Sequence, residues 1–280
     1  MFDVTMADMR AALDSFEIED DSIILTHSSL KAAGIAEGGA DGVIKAIMDT
    51  VPNGTIVFPT LSQKNWSTVY QDWHLNRPSD VGLISETFRR DYSTHRSDNA
   101  THSVAARGKL AKEITDGHAL PPERFCLFGN YAFSDNSPWQ RMYSSRTNYG
   151  VRAYVLFWGV NMRYNTLKHL AEARFVEYTL SQIRDNKKRD LLKSKISHYP
   201  YNSSDPDFLW LFYSSENFMT TLEEEGLLRR AKLGKSELIL CDIFESTVRV
   251  EKAMIETPEK LFGTRAFEWI KTAKEAAKND

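Results

Sequence analysis

The stretch Ser22-Ile23-Ile24-Leu25-Thr26-His27 decides the fold class of this chain. It is a short, continuous apolar segment, and the small polar residues Ser28 and Ser29 follow it at once. A run of this length and composition is typical of a strand that is buried on both faces of a sheet. Amphipathic helical patterns flank it at residues 7–16 and 43–47. The order helix, strand, helix indicates an α/β protein.

Three further apolar segments predict strands of the same kind: Thr55–Thr60, Ala153–Val160 and Glu237–Asp242. A long helical pattern from about Leu167 to Lys193 follows the strand predicted at Ala153–Val160. We therefore expect an α/β fold in which helices flank a central, largely buried sheet.

The remaining segments predict a C-terminal helix and two long loops within a single domain that spans residues 1–280. Thr257-Pro258-Glu259-Lys260 is a capping pattern for a final amphipathic helix, and its apolar side carries Phe262, Ala266, Trp269 and Ile270. Residues 61–80 and 195–220 hold aromatic and polar residues without a period. The first predicts a long ordered loop, a kind of segment that often carries function. Residues 195–220 form either the wall of a site or an ordinary surface loop.

Composition excludes several function classes. The 280 residues are 42% hydrophobic and 26% charged, and 35 Lys and Arg against 38 Asp and Glu give a net charge of −3. This balance provides no electrostatic footprint for nucleic acid or an anionic membrane. No apolar run is long enough to span a bilayer and the N-terminus lacks a signal pattern, so we expect a cytoplasmic protein. Cys126 and Cys241 stand alone, which excludes a CxxC site and is typical of small buried residues.

The turn after the first strand, from His27 to Ile35, is the first candidate site. Small hydroxyl residues at the end of a buried strand leave backbone N–H groups available to a phosphate or an amide-bearing cofactor. The pattern is neither a Walker loop nor GxGxxG. The structural alternative is a serine-rich turn that caps the next helix.

The second candidate is the helix start Asn165-Thr166-Leu167-Lys168-His169-Leu170-Ala171-Glu172. A cap at Asn165 or Thr166 puts His169 in the first helical turn, and Glu172 lies three residues later on the same face. A carboxylate beside an imidazole fixes its tautomer, and the helix N-terminus opposes its protonation, so His169 suits a general base. The alternatives are a solvated His–Glu pair and a metal site, for which His27, His74 or His102 could supply further ligands.

The third candidate is the segment from Arg96 to Gly108, where polar residues precede a small-residue pattern that predicts a helix start with free backbone donors. The other histidines, His95, His118 and His198, have no evident partner and are expected at the surface. A Ser-His-Asp hydrolase is disfavoured because the GxSxG pattern is absent.

Taken in order, six blocks resemble the aminoglycoside 3-N-acetyltransferase family, which is distinct from the GNAT enzymes. The blocks are His27–Leu30, Gly54–Thr60, Pro78-Ser79 with Gly82–Arg89, Arg96-Ser97 with Thr101–Ala106 and Gly108, Asp135–Pro138, and Asn165–Glu172. The resemblance is strong over residues 20–180 and weaker beyond, through Gly226 and Gly234.

The resemblance implies transfer of an acetyl group from acetyl-CoA, as a co-substrate, directly to a small-molecule amine, without a metal. His169 matches the family's catalytic histidine, with Glu172 beside it. The residues expected to bind the cofactor are His27, Ser28, Ser29, Leu30, Lys31, Ile35, Thr60, Ser103, Val104 and Ser137. Hydroxyl or backbone donors near Thr60 or Ser103 are the candidates for stabilising the oxyanion.

The acceptor implied by the resemblance is the 3-amino group of a 2-deoxystreptamine aminoglycoside, the substrate class of antibiotic-resistance enzymes. The chain departs from the family pattern at Asn99-Ala100, where His-Pro is common, and at Arg77, where a threonine is usual. In the 61–80 loop, Asp72 and Asp80 are the candidate substrate residues, opposed by the positive charges of Lys64 and Arg77. Further acids that could add negative charge are Asp205, Asp207, Glu216 and Glu223–Glu225. The alternatives are acetyl transfer to another amine metabolite and CoA binding without turnover.

Overall fold

Seven strands join one mixed sheet in the computed structural model, which describes residues 2–32, 34–62, 71–120, 131–196, 209 and 211–278. The order across the sheet is β3-β4-β2-β1-β5-β7-β6. The strands are β1 Ile23–Ser28, β2 Thr55–Pro59, β3 His95–Arg96, β4 Val104–Gly108, β5 Ala153–Trp158, β6 Leu228–Leu233 and β7 Ser236–Asp242.

Helices cover the sheet and connect its strands. The α-helices are α1 Met6–Asp14, α2 Gly39–Thr50, α3 Leu83–Thr87, α4 Ala111–Thr115, α5 Pro138–Tyr143, α6 Ser145–Tyr149, α7 Lys168–Ser181, α8 Asn186–Ser194, α9 Ser215–Glu224, α10 Ile243–Glu256, α11 Pro258–Leu261 and α12 Thr264–Lys278. A π-helix, Phe88–Tyr92, continues α3, and a 3₁₀ turn, Met162–Tyr164, follows β5. Among the described helices, none has both the length and the apolar composition that crossing a membrane requires.

Strand β1 forms the centre of the sheet because it pairs in parallel with both β2 and β5. Its side chains alternate between two cores: Ile23 and Leu25 face α7, α10 and α12, whereas Ile24 faces α1 and α2. Both faces of the central strands are thus buried. The predicted α/β fold with a central sheet between helices is confirmed.

The prediction of a helix start after Arg96 is wrong, because Val104–Gly108 forms strand β4. This strand pairs antiparallel with β2 on one side and β3 on the other. Val104, Ala105 and Ala106 are fully buried there. Backbone pairing on both edges satisfies the N–H and C=O groups that a buried segment must bond, and this outweighs the helix propensity of the two alanines.

The predicted single helix from Leu167 to Lys193 is two helices, α7 and α8. The break falls at residues 182–185, where Ile183 turns fully into the core. The Asp185 carboxylate then accepts hydrogen bonds from the backbone N–H groups of Lys187 and Lys188, at 2.8 and 3.1 Å, and caps α8. An acidic N-cap starts a new helix rather than continuing the old one.

The C-terminal helix starts later than predicted. Pro258 begins the short helix α11, after which Phe262 is extended and bridges to Tyr213. Helix α12 then carries Ala266, Trp269 and Ile270 into the core, as the spacing indicates. Phe262 also reaches this core, but from the bridge rather than from a helix.

Candidate active site

A cleft of about 910 Å³ opens at the carboxyl ends of β1 and β5. Its lining comes from the turn after β1 (His27–Lys31), the turn after β5 (Gly159–Asn165) and the start of α3 with the residues before it (Val81–Ser85). The chain leaves β1 toward β2 on one side, while β5 lies on the other side. Such a point of divergence is where open α/β sheets form ligand sites.

Gly159 lets the two strand ends approach each other. Its φ is +66°, and a Cβ at this position would lie 2.5 Å from Cβ of Ala32 and 3.4 Å from the carbonyl oxygen of Ser29. The backbone N–H of Ser29 donates to the carbonyl of Trp158 at 2.9 Å, which ties the turns together. Only a residue without a side chain fits this conformation and this space without strain.

The turn after β1 supplies the floor of the cleft, as the sequence predicts. His27, Ser28, Ser29, Leu30 and Lys31 all line it. Within the described residues, the backbone N–H groups of Leu30 and Lys31 have no hydrogen-bond partner. Donors of this kind at a strand end are available to an anion or a carbonyl oxygen.

Ile35 lies away from the cleft, in contrast to the other residues of that block. Its side chain is 63% exposed, and its backbone N–H donates to the Asp3 carboxylate at 2.8 Å. This contact orders the segment between β1 and α2. The structure does not bring Ile35 together with the other predicted cofactor residues.

His27 joins β1 to the start of the helix that carries the predicted base. Its Nε2 accepts from the backbone N–H of Thr166 at 3.4 Å, and its ring stacks on Phe157 with centroids 5.8 Å apart. Burial lowers the pKa of His27 to about 3, so the ring is neutral at physiological pH. A neutral ring is what acceptance of the Thr166 hydrogen bond requires.

His169 and Glu172 form the pair that their spacing predicts. Nδ1 of His169 lies 2.7 Å from Oε2 of Glu172, and His169 lines the cleft. The Glu172 carboxyl is completely buried, and its Oε1 accepts from the backbone N–H of Tyr213 at 3.0 Å. Both carboxyl oxygens are therefore fixed, and they hold the imidazole through Nδ1.

Burial sets the protonation of this pair. It lowers the pKa of His169 to about 3, with a smaller contribution from Lys168, and raises the pKa of Glu172 well above its usual range. The imidazole is consequently neutral at physiological pH and can accept a proton. The hydrogen bond from the backbone N–H of Tyr213 and the positive charge of Lys168 act against this rise in the pKa of Glu172. When Glu172 is a carboxylate, it accepts from an Nδ1–H donor of His169 and leaves Nε2 as the basic nitrogen.

Aromatic side chains surround His169. Phe212 contacts its ring at 5.0 Å between centroids and Phe133 contacts it edge-on at 5.9 Å. Phe133 also contacts the ring of His102, a buried residue whose Nδ1 lies 2.8 Å from Oγ1 of Thr101. These contacts limit rotation of the imidazole. No sequence pattern pointed to Phe133 or Phe212, because the contacts join distant segments.

The metal alternative finds no support in the described part of the chain, where no three His, Cys, Asp or Glu side chains are grouped to hold an ion. The expectation that His118 lies at the surface is wrong. His118 is fully buried, with Nδ1 3.0 Å from Oγ of Ser97 and Nε2 3.1 Å from the carbonyl of Ala132. His95 is exposed, and His198 lies outside the described residues.

Thr60, Ser103, Val104 and Ser137, which were expected to bind the cofactor, are buried and are not among the residues that line the cleft. The Ser103 hydroxyl donates to the carbonyl of Thr60 at 2.8 Å, and Val104 belongs to the core. Ser137 caps helix α5 by accepting from the backbone N–H of Gln140 at 3.2 Å. The structure gives these side chains roles in the core and in local hydrogen bonds.

Arg96 is a residue that sequence reasoning did not single out. Its guanidinium donates to the carbonyls of Thr60, Leu75 and Arg77, at 2.8, 2.7 and 2.5 Å, and stacks over Trp73 at 4.7 Å. The only signal in the sequence is its place at the head of the fourth block. Its three carbonyl partners lie 19 to 36 residues away, and no local pattern encodes them.

The acids that were expected to bind the amine acceptor lie in different environments. Asp72 is exposed and forms an ion pair with Arg77 at 2.5 Å, so these charges offset each other. Asp80 is partly buried, and its backbone N–H donates to the carbonyl of Leu61 at 3.2 Å. Glu223 and Glu225 pair with Arg230 and Arg249, away from the cleft lining.

The other acids also lie apart from the described cleft lining. Glu216 is exposed on helix α9. Lys64, Asp205 and Asp207 lie outside the described residues, as does Cys126, whereas Cys241 is buried as expected.

Comparison with known proteins identifies the family. The model of the family described as aminoglycoside 3-N-acetyltransferase matches residues 25–255. The SPbeta prophage-derived aminoglycoside N(3')-acetyltransferase-like protein YokD of Bacillus subtilis is 28% identical over 195 residues, 62% of this chain and 66% of that protein. Aminoglycoside N(3)-acetyltransferase III of Pseudomonas aeruginosa is 24% identical over 261 residues, 84% of this chain and 88% of that protein.

A solved structure shares the fold. The structure described as AAC-IIIb binary with CoASH superposes with a TM-score of 0.66 at 20% identity, and the match covers 93% of this chain and 98% of that chain. The family match extends from β1 through α7 and most of α10, and so includes both the turn after β1 and the His169–Glu172 pair. This chain belongs to the aminoglycoside 3-N-acetyltransferase family.

Proposed function

We propose that this protein transfers the acetyl group of acetyl-CoA directly to an amine, the 3-amino group of a 2-deoxystreptamine aminoglycoside. The observation that carries the proposal is the His169–Glu172 pair, joined at 2.7 Å and facing a large cleft in a chain of this family. A neutral imidazole oriented by a buried carboxyl has the free ring nitrogen that a general base needs.

The cleft has the features that acetyl-CoA requires. Its volume of about 910 Å³ lies near the upper end of the range of roughly 300–1,000 Å³ for small-molecule sites. Lys31, Arg163 and Lys168 line it and form no ion pair within the described residues, so they suit the phosphates of the coenzyme. The open N–H groups of Leu30 and Lys31 suit phosphate or carbonyl oxygens. The AAC-IIIb relative was solved as a binary complex with CoASH.

In the proposed reaction, His169 acts through the nitrogen that faces away from Glu172. It accepts a proton from the attacking amine, whose nitrogen forms a bond to the thioester carbonyl carbon. The resulting tetrahedral species collapses as its carbon–sulfur bond breaks. The imidazolium returns the proton to the departing sulfur, which leaves as the thiol, and Glu172 stabilises the transient imidazolium charge.

An amine with fewer positive charges is the second candidate acceptor. The described cleft lining carries Lys31, Arg163 and Lys168 against one acid, Glu237. These cations repel a polycationic antibiotic unless the coenzyme phosphates neutralise them.

The test is thiol release from acetyl-CoA with several deoxystreptamine antibiotics and with simple amines, at low and high salt. Saturable turnover with the antibiotics supports the proposal, whereas turnover with simple amines alone favours the second candidate. Calorimetry with CoA identifies a protein that binds the coenzyme without turnover. Absence of CoA binding contradicts both candidate acceptors and also binding without turnover.

A further inference from the structure

Arg96 joins three parts of the molecule that are distant in sequence. Its Nε donates to Oγ1 of Thr60 and Oγ of Ser103, at 3.2 and 3.3 Å, where β2 ends and β4 begins. One terminal nitrogen donates to the Thr60 carbonyl, and the other donates to the carbonyls of Leu75 and Arg77. One side chain thus binds the segment 71–80 to the end of strand β2.

The guanidinium of Arg96 donates to neutral oxygens. Its hydrogen-bond partners in the described residues are carbonyl and hydroxyl oxygens, not carboxylates. A guanidinium has five donors in a rigid plane, so it can satisfy several carbonyls that no other side chain could reach together. Trp73 covers one face of the guanidinium at 4.7 Å and donates through its indole N–H to Asp98 at 2.7 Å.

The segment held by Arg96 leads directly into one wall of the cleft. The Ser79 hydroxyl and the Asp80 N–H both donate to the carbonyl of Leu61, at 3.2 Å each. The backbone N–H of Ser79 donates to Glu86 in helix α3 at 2.8 Å. Leu61 and Val81–Ser85 line the cleft, so the position of the 71–80 segment sets the position of this wall.

This wall and two of the basic residues, Arg163 and Lys168, lie on opposite sides of strand β1. Leu61 follows β2, whereas Arg163 and Lys168 follow β5, and the sheet order places β1 between them. If the phosphates of the coenzyme bind the basic side, the wall on the β2 side faces the acceptor. Asp72 and Asp80, the predicted acceptor residues, belong to the same segment.

We propose that Arg96 is a positioning residue that latches the segment 71–80 to strand β2 and thereby sets the affinity for the amine acceptor rather than for acetyl-CoA. This inference rests on the proposed function. The latch itself is a structural property that can be measured without turnover.

The test uses Arg96→Met, which keeps the length of the side chain but removes its donors, and Arg96→Lys, which keeps the charge but can reach fewer carbonyls. Trp73→Leu is the second approach, because it loosens the latch from the loop side without changing the buried end of β2. Arg107→Met is the matched control, since Arg107 lies on neighbouring strand β4 and donates to a single carbonyl, that of Tyr92.

Two measurements decide the inference. Hydrogen exchange of the backbone amides at residues 71–80 is expected to accelerate in both Arg96 variants and in Trp73→Leu, but not in Arg107→Met. The KM for the amine is expected to rise on the order of tenfold in Arg96→Met, while the KM for acetyl-CoA changes less than about twofold. Arg96→Lys is expected to fall between Arg96→Met and the wild type.

A purely structural role would lower kcat through loss of active protein and leave both KM values in place. Unchanged exchange at 71–80 contradicts the latch. Accelerated exchange with an equal or larger rise in the KM for acetyl-CoA contradicts the assignment to the acceptor side. A wild-type protein that binds no CoA contradicts the proposed function, while the exchange measurement still decides whether Arg96 is a latch.

Discussion

The two carboxyl oxygens of Glu172 have different partners, and this difference controls the base. Oε1 accepts from the backbone N–H of Tyr213, whereas Oε2 lies 2.7 Å from Nδ1 of His169. In a glutamine at this position, the amide oxygen must face Tyr213, because a backbone N–H can only donate. The amide nitrogen then faces Nδ1 and donates to it, which moves the imidazole hydrogen to Nε2.

We therefore expect Glu172→Gln to trap His169 in the tautomer that cannot accept a proton from the substrate. The turnover number should fall on the order of tenfold or more, though less than in His169→Ala, with little change in the KM for acetyl-CoA. Steady-state thiol release measures both. In a His169→Ala background the same change should have no further effect, and additive losses would contradict the coupling.

The hydroxyl of Ser103 is expected to support structure rather than an oxyanion. Its hydrogen is directed to the carbonyl of Thr60, and the side chain is fully buried. Ser103→Ala should lower the free energy of unfolding by about 1 kcal/mol and turnover by less than about tenfold. A loss of about 100-fold or more with unchanged stability would instead identify an oxyanion donor. Urea unfolding and steady-state kinetics separate the two outcomes.

At the scale of elements, Gly159 tests the junction between the β1 and β5 turns. Gly159→Ala must adopt a positive φ and place its Cβ against Ala32, so the free energy of unfolding and the affinity for CoA should both fall. Gly226→Ala is the matched control, because Gly226 has φ +71° and open space around it. In Gly226→Ala, the free energy of unfolding should fall only by the cost of the left-handed backbone conformation, roughly 1–2 kcal/mol. Equal losses of stability in the two variants, measured by urea unfolding, would contradict the close approach of the turns.

The strands at the centre of the sheet could be predicted from sequence, and those at its sides could not. Strands β1, β2, β5 and β7 are continuous apolar runs because helices cover both of their faces. Strand β6, with the pattern Leu-Arg-Arg-Ala-Lys-Leu, is a mostly exposed edge and lacks that signal. The two alanines of strand β4 favour a helix, so the sequence predicts one there, whereas tertiary pairing decides their conformation.

At the scale of the whole molecule, buried neutral histidines predict an acid-labile fold. Burial lowers the pKa of His27, His118 and His169 to about 3 and that of His102 well below its usual range. Unfolded histidines bind protons near pH 6.5, so below that pH the unfolded state takes up protons that the folded state does not. Stability is complete above about pH 6.5 and should fall as pH decreases toward 3.

Two acids partly offset this effect, the fully buried Glu172 and the partly buried Glu251. Burial raises the pKa of Glu172 and Glu251, which lets the folded state retain protons above the pH at which an unfolded glutamate releases them. Four histidines outnumber the two acids, so the net slope between pH 6.5 and 5 remains positive with pH.

His118 isolates one contribution to this slope, because it is fully buried and lies outside the cleft lining. His118→Gln should reduce the slope of unfolding free energy against pH by up to about 1.4 kcal/mol per pH unit. Urea unfolding at several pH values between 6.5 and 5 measures it. An unchanged slope in His118→Gln would show that this histidine binds its proton equally in both states.

The candidate site was predictable where its parts are local. The spacing of His169 and Glu172 and the serine-rich turn after β1 lie within short segments, so their pattern is visible in the sequence. The contacts that fix them are not local: Tyr213 lies 41 residues from Glu172, and Arg96 lies 36 residues from Thr60. Backbone donors and acceptors carry no residue signature, so these contacts require the fold.

The kinetics of His169→Ala, together with its affinity for CoA, test the role of His169 as the base most directly. Turnover should fall on the order of 100-fold or more, because proton removal from the amine is lost, while the dissociation constant for CoA measured by calorimetry should change less than about twofold. His95→Ala, at an exposed histidine, is the control and should retain wild-type turnover. Full activity in His169→Ala would contradict the assignment of the base and show that the start of α7 is structural.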